Sequence, residues 1–146
     1  MTKNISKIAV LGSGIMGSGI ACHFANIGVE VILLDICPKK LNESEIKQNL
    51  SLDSKKVKNR IVNDMFQKCI KSRPSPIYNK KFIERIRLGN FEDDIDKINE
   101  VDWIIEVVIE KLDIKKSIFD LVEKHRRPGT IAVSYTHLTL PTIFRV

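Results

Sequence analysis

The stretch VLGSGIMGSGIACHFANIGVEVILLD, Val10 to Asp35, sets a cluster of glycines between two apolar runs. The first run, Ile8-Ala9-Val10-Leu11, ends at Gly12 and has the composition of a parallel strand buried on both faces. Within Ile15 to Ile27, the residues Ile20, Phe24 and Ile27 fall at helical spacing, and Gly28 follows as a C-terminal stop. Val29 to Leu34 is a second β-branched apolar run, closing at Asp35. Strand, helix and strand within about 30 residues make a βαβ unit.

The glycines between the first strand and the helix read Gly12-Ser13-Gly14-Ile15-Met16-Gly17, a GxGxxG. The pattern alone is weak, but here it follows a buried strand and opens a helix, the context that a dinucleotide fingerprint requires. Gly12 permits the tight turn, Gly14 lets the backbone approach a pyrophosphate, and Gly17 lets the helix pack close on the strand. The helix N-terminus offers unpaired N–H groups and a positive dipole end to the phosphates. Asp35 stands about 20 residues further on, where such a site places its ribose-binding acid. A carboxylate there accepts from the ribose hydroxyls and repels a 2′-phosphate. Ile36, Cys37 and Pro38 follow with no arginine to receive that phosphate, so the expected cofactor is NAD rather than NADP.

Outward from this unit the alternation continues. Pro38 to Lys71 is polar, basic and helix-prone, and SRPSPIYN, Ser72 to Asn79, breaks it with two prolines. A short strand is expected within Phe82 to Leu88, an acidic helix over Asn90 to Val101, and a buried strand over Asp102 to Val108. Lys111 to His125 is amphipathic, with Ile114, Ile118, Leu121 and Val122 on one face, and Pro128-Gly129 turns the chain into a strand at Thr130 to Val133. The fold class is therefore α/β, a Rossmann-type doubly wound parallel sheet with a basic helical hairpin inserted after the second strand.

A chain of 146 residues holds one domain. Cys22, Cys37 and Cys69 are scattered without a CxxC, which argues against a disulfide framework and against a metal site. The N-terminus has no signal-peptide pattern, and no apolar run is long enough for a bilayer; the expected location is cytoplasmic. The net charge is +6, and the excess gathers between Lys39 and Arg87. Such a face serves a nucleic acid, an anionic surface or a phosphorylated small molecule, or is only a solvated helix. It lacks the interleaved aromatics of nucleic-acid stacking.

Two stretches carry a resemblance. IAVLGSGIMGSGIACHFANIGVEVILLDI and VDWIIEVVIEKLDIKKSIFDLVEKHRRPGTIAVS together resemble the NAD-binding domain of bacterial 3-hydroxyacyl-CoA dehydrogenases. KSRPSPIYN and LGNFEDDIDKINEVDWIIE are most similar to the long, multidomain β-oxidation type. The resemblance runs from about Lys7 to Ser134. It implies that the backbone of Ile15 and Met16 lies against NAD and that Asp35 holds the ribose. It implies further that Glu110 stands at the mouth of the site and that Lys115 contacts the cofactor. Ser134 matches the first residue of the family's S-N-T-S turn, which touches nicotinamide and the substrate oxygen. Acyl-CoA is the implied substrate, bound along the hairpin with Lys68 and Lys71 as contacts, and the full-length protein is compatible with a homo-oligomer.

The pattern breaks after Ser134. The chain reads Ser134-Tyr135-Thr136-His137, and 135–146 is expected to be a foreign tail outside a 1–134 domain. The family's catalytic histidine sits in a later G-x-H-F-F-N-P stretch without a counterpart here, and His137 lacks those neighbours. The expected chain is thus a truncated, inactive cofactor half of a dehydrogenase. On the residues alone the alternatives are another Rossmann hydroxy-acid dehydrogenase, a non-catalytic NAD-binding module, and a basic interaction domain with a vestigial fingerprint.

Overall fold

A computed structural model describes residues 5–108, 112–134 and 143–144. Five apolar segments pair in parallel: β1 (Lys7–Leu11), β2 (Glu30–Asp35), β3 (Ile86–Asn90), β4 (Trp103–Glu106) and β5 (Ile131–Ser134). The two-residue β6 (Ile143–Phe144) joins β5 antiparallel at the edge. The order in space is β3-β2-β1-β4-β5-β6. Such a sheet reverses its winding between β1 and β4, and ligands bind beyond the carboxyl ends of the strands at that point. Leu11 lies opposite both Leu34 and Glu106, so β1, β2 and β4 finish nearly level there.

The β1 and β2 runs are apolar throughout because both faces are covered. On one side α1 (Ile15–Asn26), α4 (Arg60–Ile70) and a 3₁₀ turn (Lys80–Arg85) close over Ile8, Val10, Val31 and Leu33. On the other side a 3₁₀ helix (Ile95–Glu100) and α5 (Leu112–His125) close over Ala9, Leu11, Ile32 and Leu34. Ile98, Ile118 and Val122 supply that second core.

The basic excursion after β2 follows the expectation in place and helical character but not in length. It consists of α2 (Glu43–Lys47), α3 (Lys55–Lys58) and then α4. Asn42 opens α2 with a capping box, its side chain accepting from Glu45 N at 2.8 Å. Asn49 ends that segment in the left-handed region at φ 56°. Asn59 stands between α3 and α4 at φ −93° and ψ 6°, and its buried side chain accepts from Asn90 Nδ2 at 2.7 Å. The expected strand within Phe82 to Leu88 falls later, as β3, and the acidic helix reduces to the 3₁₀ segment. There Asn90 Oδ1 accepts from the backbone of Glu92 and Asp93, forming a turn before any helix can begin.

At the opposite end of the sheet Asp102 ties β1 to β4. Its Oδ2 accepts from Ser6 N at 3.0 Å and from Lys7 N at 3.3 Å, and Arg127 pairs with Oδ1.

Candidate cofactor site

Gly12 leaves β1 at φ +111°, a conformation that side chains rarely adopt. A Cβ there would stand 3.0 Å from the backbone of Val107. Gly17 is more confined, since a Cβ on it would meet the Gly12 carbonyl oxygen at 1.8 Å. The glycines thus let α1 seat directly on the β1 turn. Gly14 is the N-cap of the 12-residue α1 and makes no side-chain cap bond. The first-turn amides therefore lack both an intrahelical and a capping partner, the arrangement that receives an anion. Ile15 and Met16 stand on this turn, 90% and 53% exposed.

Asp35 is buried at the end of β2. Its Oδ2 accepts from Ser13 N at 2.8 Å and from Ser13 Oγ, while Oδ1 accepts from Ile36 N at 2.7 Å. Ser18 Oγ donates to the Ser13 carbonyl at 2.6 Å. A carboxylate accepts about four hydrogen bonds. Three are filled by the protein, and the open position is on Oδ1. The residue between the first two glycines thus holds the acid, which the glycine spacing could not reveal.

Gly12, Ser13, Gly14 and Asp35 line a pocket of about 220 Å³, with Val107 and Val108 on one side and Ile61 and Met65 of α4 on the other. A second pocket, of about 250 Å³, adjoins it at Met65 and runs past Ile15, Lys68, Cys69 and Ser72. The structure therefore brings Lys68 to a pocket it shares with Ile15, the first residue of α1. Lys71, the C-cap of α4, is exposed and does not line this pocket. Lys115 is half-buried on α5 and does not line the pocket around Asp35. Ser134 ends β5 opposite Glu106, level with the same carboxyl edge. Glu110 lies outside the described residues. Glu106 is buried within β4, and its Oε1 accepts from Val108 N at 2.7 Å, which supplies a partner for a carboxylate inside a strand.

The cysteines are not poised for chemistry. Burial, with Cys69 beside it, pushes the Cys22 thiol up to about 12, and burial next to Glu92 pushes Cys37 up to about 11. A thiol held protonated is a poor nucleophile. Among the described residues no cluster of three or more His, Cys, Asp or Glu could hold a metal, and no helix is long and apolar enough to cross a membrane.

A doubly wound sheet with this order, a glycine loop under a helix N-terminus and an acid closing β2 is a dinucleotide-binding domain. Comparison with known proteins narrows the class. Residues 7–144 match the family described as 3-hydroxyacyl-CoA dehydrogenase, NAD binding domain. A "Probable 3-hydroxyacyl-CoA dehydrogenase" of Bacillus subtilis (strain 168) is 51% identical over 136 residues, covering 93% of this chain and 17% of that protein. A protein of the same description from Deinococcus radiodurans is 37% identical over 120 residues, 82% of this chain and 31% of its own length. The dehydrogenase part of a C. elegans multifunctional enzyme matches in fold, with a TM-score of 0.59 at 24% identity over 95% of this chain and 28% of that one. The chain belongs to the NAD-binding domain family of the 3-hydroxyacyl-CoA dehydrogenases, and it spans under a third of the length of these two curated relatives. NAD is the cofactor of that family, and the loop, the open helix N-terminus and the adjoining pockets fit it.

Proposed function

We propose that this chain is the cofactor-binding part of an enzyme that oxidises a 3-hydroxyacyl-CoA to the 3-ketoacyl-CoA. The observation that carries the reading is the glycine loop seated under α1 with buried Asp35 beside it, in a chain of this family. When bound, NAD accepts the hydride from the hydroxyl-bearing carbon. The chain's own residues bind and orient. The first-turn amides at Ile15 and Met16 hold the pyrophosphate, and Asp35 takes a ribose hydroxyl on its open Oδ1 position. Ser134 touches the nicotinamide and the substrate oxygen, Lys115 contacts the cofactor, and Glu110 is the acid at the mouth of the site. Lys68 and Lys71 attract the phosphates of coenzyme A.

Residues 1–146 alone do not turn over substrate, in this reading, because the histidine that takes the hydroxyl proton is not among them. A positioned acid–base group contributes about 10²–10⁴-fold, and substrate positioning adds to that. Residues 135–146 are a foreign tail, since Tyr135 and His137 interrupt the S-N-T-S pattern. The full-length protein works in the cytoplasm, as a homo-oligomer. The test is NADH formation from 3-hydroxybutyryl-CoA, by this chain and by one continued after Ser134 with a family sequence that includes H-F-F-N-P. Activity is expected only in the longer chain; equal activity in the two would refute the placement of the proton acceptor.

A further inference from the structure

On its β4–β5 side the sheet has one covered face and one bare face. Ile104 and Ala132 enter the core under α5 and are buried. Trp103 and Ile105 point the other way, toward α1, and β5 sets Ile131 opposite Trp103 and Val133 opposite Ile105. Side chains alternate along a strand, so these four share a face. Ile131 is 43% exposed and Val133 half-buried, and neither joins a core among the described residues. A groove of about 350 Å³ runs between α1 and β4, with Gly19, His23 and Phe24 on one side and Trp103 and Ile105 on the other. It shares no residue with the pocket around Asp35. Phe24 and Trp103 meet edge to face at 5.7 Å between ring centres and make a firm floor. A Cβ on Gly19 would meet nothing within 4 Å, so that side of the helix is open.

Parallel sheets bury both faces, and helices are what cover them. A right-handed crossover from β4 to β5 places α5 on the covered face, and each further crossover in that direction adds its helix to the same face. The bare face therefore needs a cover other than the next crossover. More than four-fifths of the Bacillus subtilis relative lies outside the region matched by this chain. We propose that the α1–β4–β5 face is the docking surface for an amphipathic helix from the part of the full-length enzyme outside this chain, lying beside α1 with its apolar stripe on Trp103, Ile131 and Val133. The assignment rests on reading the chain as the cofactor-binding part of a larger enzyme. Packed helices lie about 8–10 Å apart, and the absent side chain of Gly19 admits the close approach.

The experiment compares this chain with the one continued after Ser134 by a family sequence. Exposed His23 lines the groove and reports its cover through modification by diethylpyrocarbonate, read by mass spectrometry. His23 is expected to react in the short chain, to be protected in the folded continued chain, and to react again once that chain is denatured. Gly19→Gln and Ile131→Lys then place polar groups on the face without touching a core of this domain. Each is expected to lower the melting temperature of the continued chain by about 2–4 °C or more and to leave that of the short chain unlowered. Equal His23 reactivity in the folded and denatured continued chain overturns the docking, and this comparison holds even where the short chain fails to fold. Equal melting shifts in the two chains also overturn it. Protection of His23 in the short chain, with a dimer in sedimentation that Ile131→Lys dissociates, assigns the face to a second copy and overturns the proposal. A continued chain that protects His23 but forms no NADH from 3-hydroxybutyryl-CoA overturns the reading of the reaction and supports the docking.

Discussion

At Gly17 the smallest side-chain addition has no room, because its Cβ would overlap the Gly12 carbonyl at 1.8 Å. Gly17→Ala is therefore expected to destabilise the fold by about 3 kcal/mol, the upper end of overpacking costs, read from urea unfolding. Gly19, two residues on, meets nothing within 4 Å. Gly19→Ala should stabilise α1 by about 0.5–1 kcal/mol through helix propensity alone. Asp35→Ala should narrow the preference for NAD over NADP, measured by titration with both, because it removes the charge that opposes a 2′-phosphate; an unchanged ratio would take Asp35 out of that role. The glycines and Asp35 were legible because their spacing is local. Ser13 was not, since its bond to a residue 22 positions away exists only once β1 and β2 lie side by side.

Elements after β2 were legible as helical and basic but not as separate pieces. Asn59 marks the break, and its bond to Asn90 is made across the packed interface of α4 and β3. Asn59→Ala is expected to cost about 1–2 kcal/mol in urea unfolding, since Asn90 Nδ2 keeps only its longer bond to Asp93. At the other end of the sheet, the Ser6 amide first, then the Lys7 amide and the Arg127 guanidinium, hold the Asp102 carboxyl below its ordinary range against the opposing cost of burial. A folded-state value below the unfolded one contributes stability above the unfolded pKa of about 3.9, and that contribution is lost as pH falls through the folded value. Stability measured from pH 6 down to pH 2 should drop more steeply for the unchanged chain than for Asp102→Asn. Parallel curves would remove Asp102 from the acid response.

The whole molecule presents lysines on α4 and its C-cap to solvent, with Lys68 at the pocket beside Ile15. Acyl-CoA attraction by Lys68 and Lys71 should weaken with added salt, because exposed charges are screened over about 8 Å at physiological ionic strength. Titration of acetoacetyl-CoA at low and high salt measures this, and tight, salt-independent binding would contradict it. The sequence by itself determined the βαβ unit, the loop, the acid and the sheet order, because hydrophobic period and glycine spacing act over short stretches and right-handed crossovers leave few topologies. Only the tertiary structure decided that α4 faces the glycine loop through Ile61 and Met65, that Ser13 holds Asp35, and that Asp102 clasps the start of β1. Each of those depends on partners far apart in the chain, and their distances are settled by how helices pack on a finished sheet rather than by any local pattern.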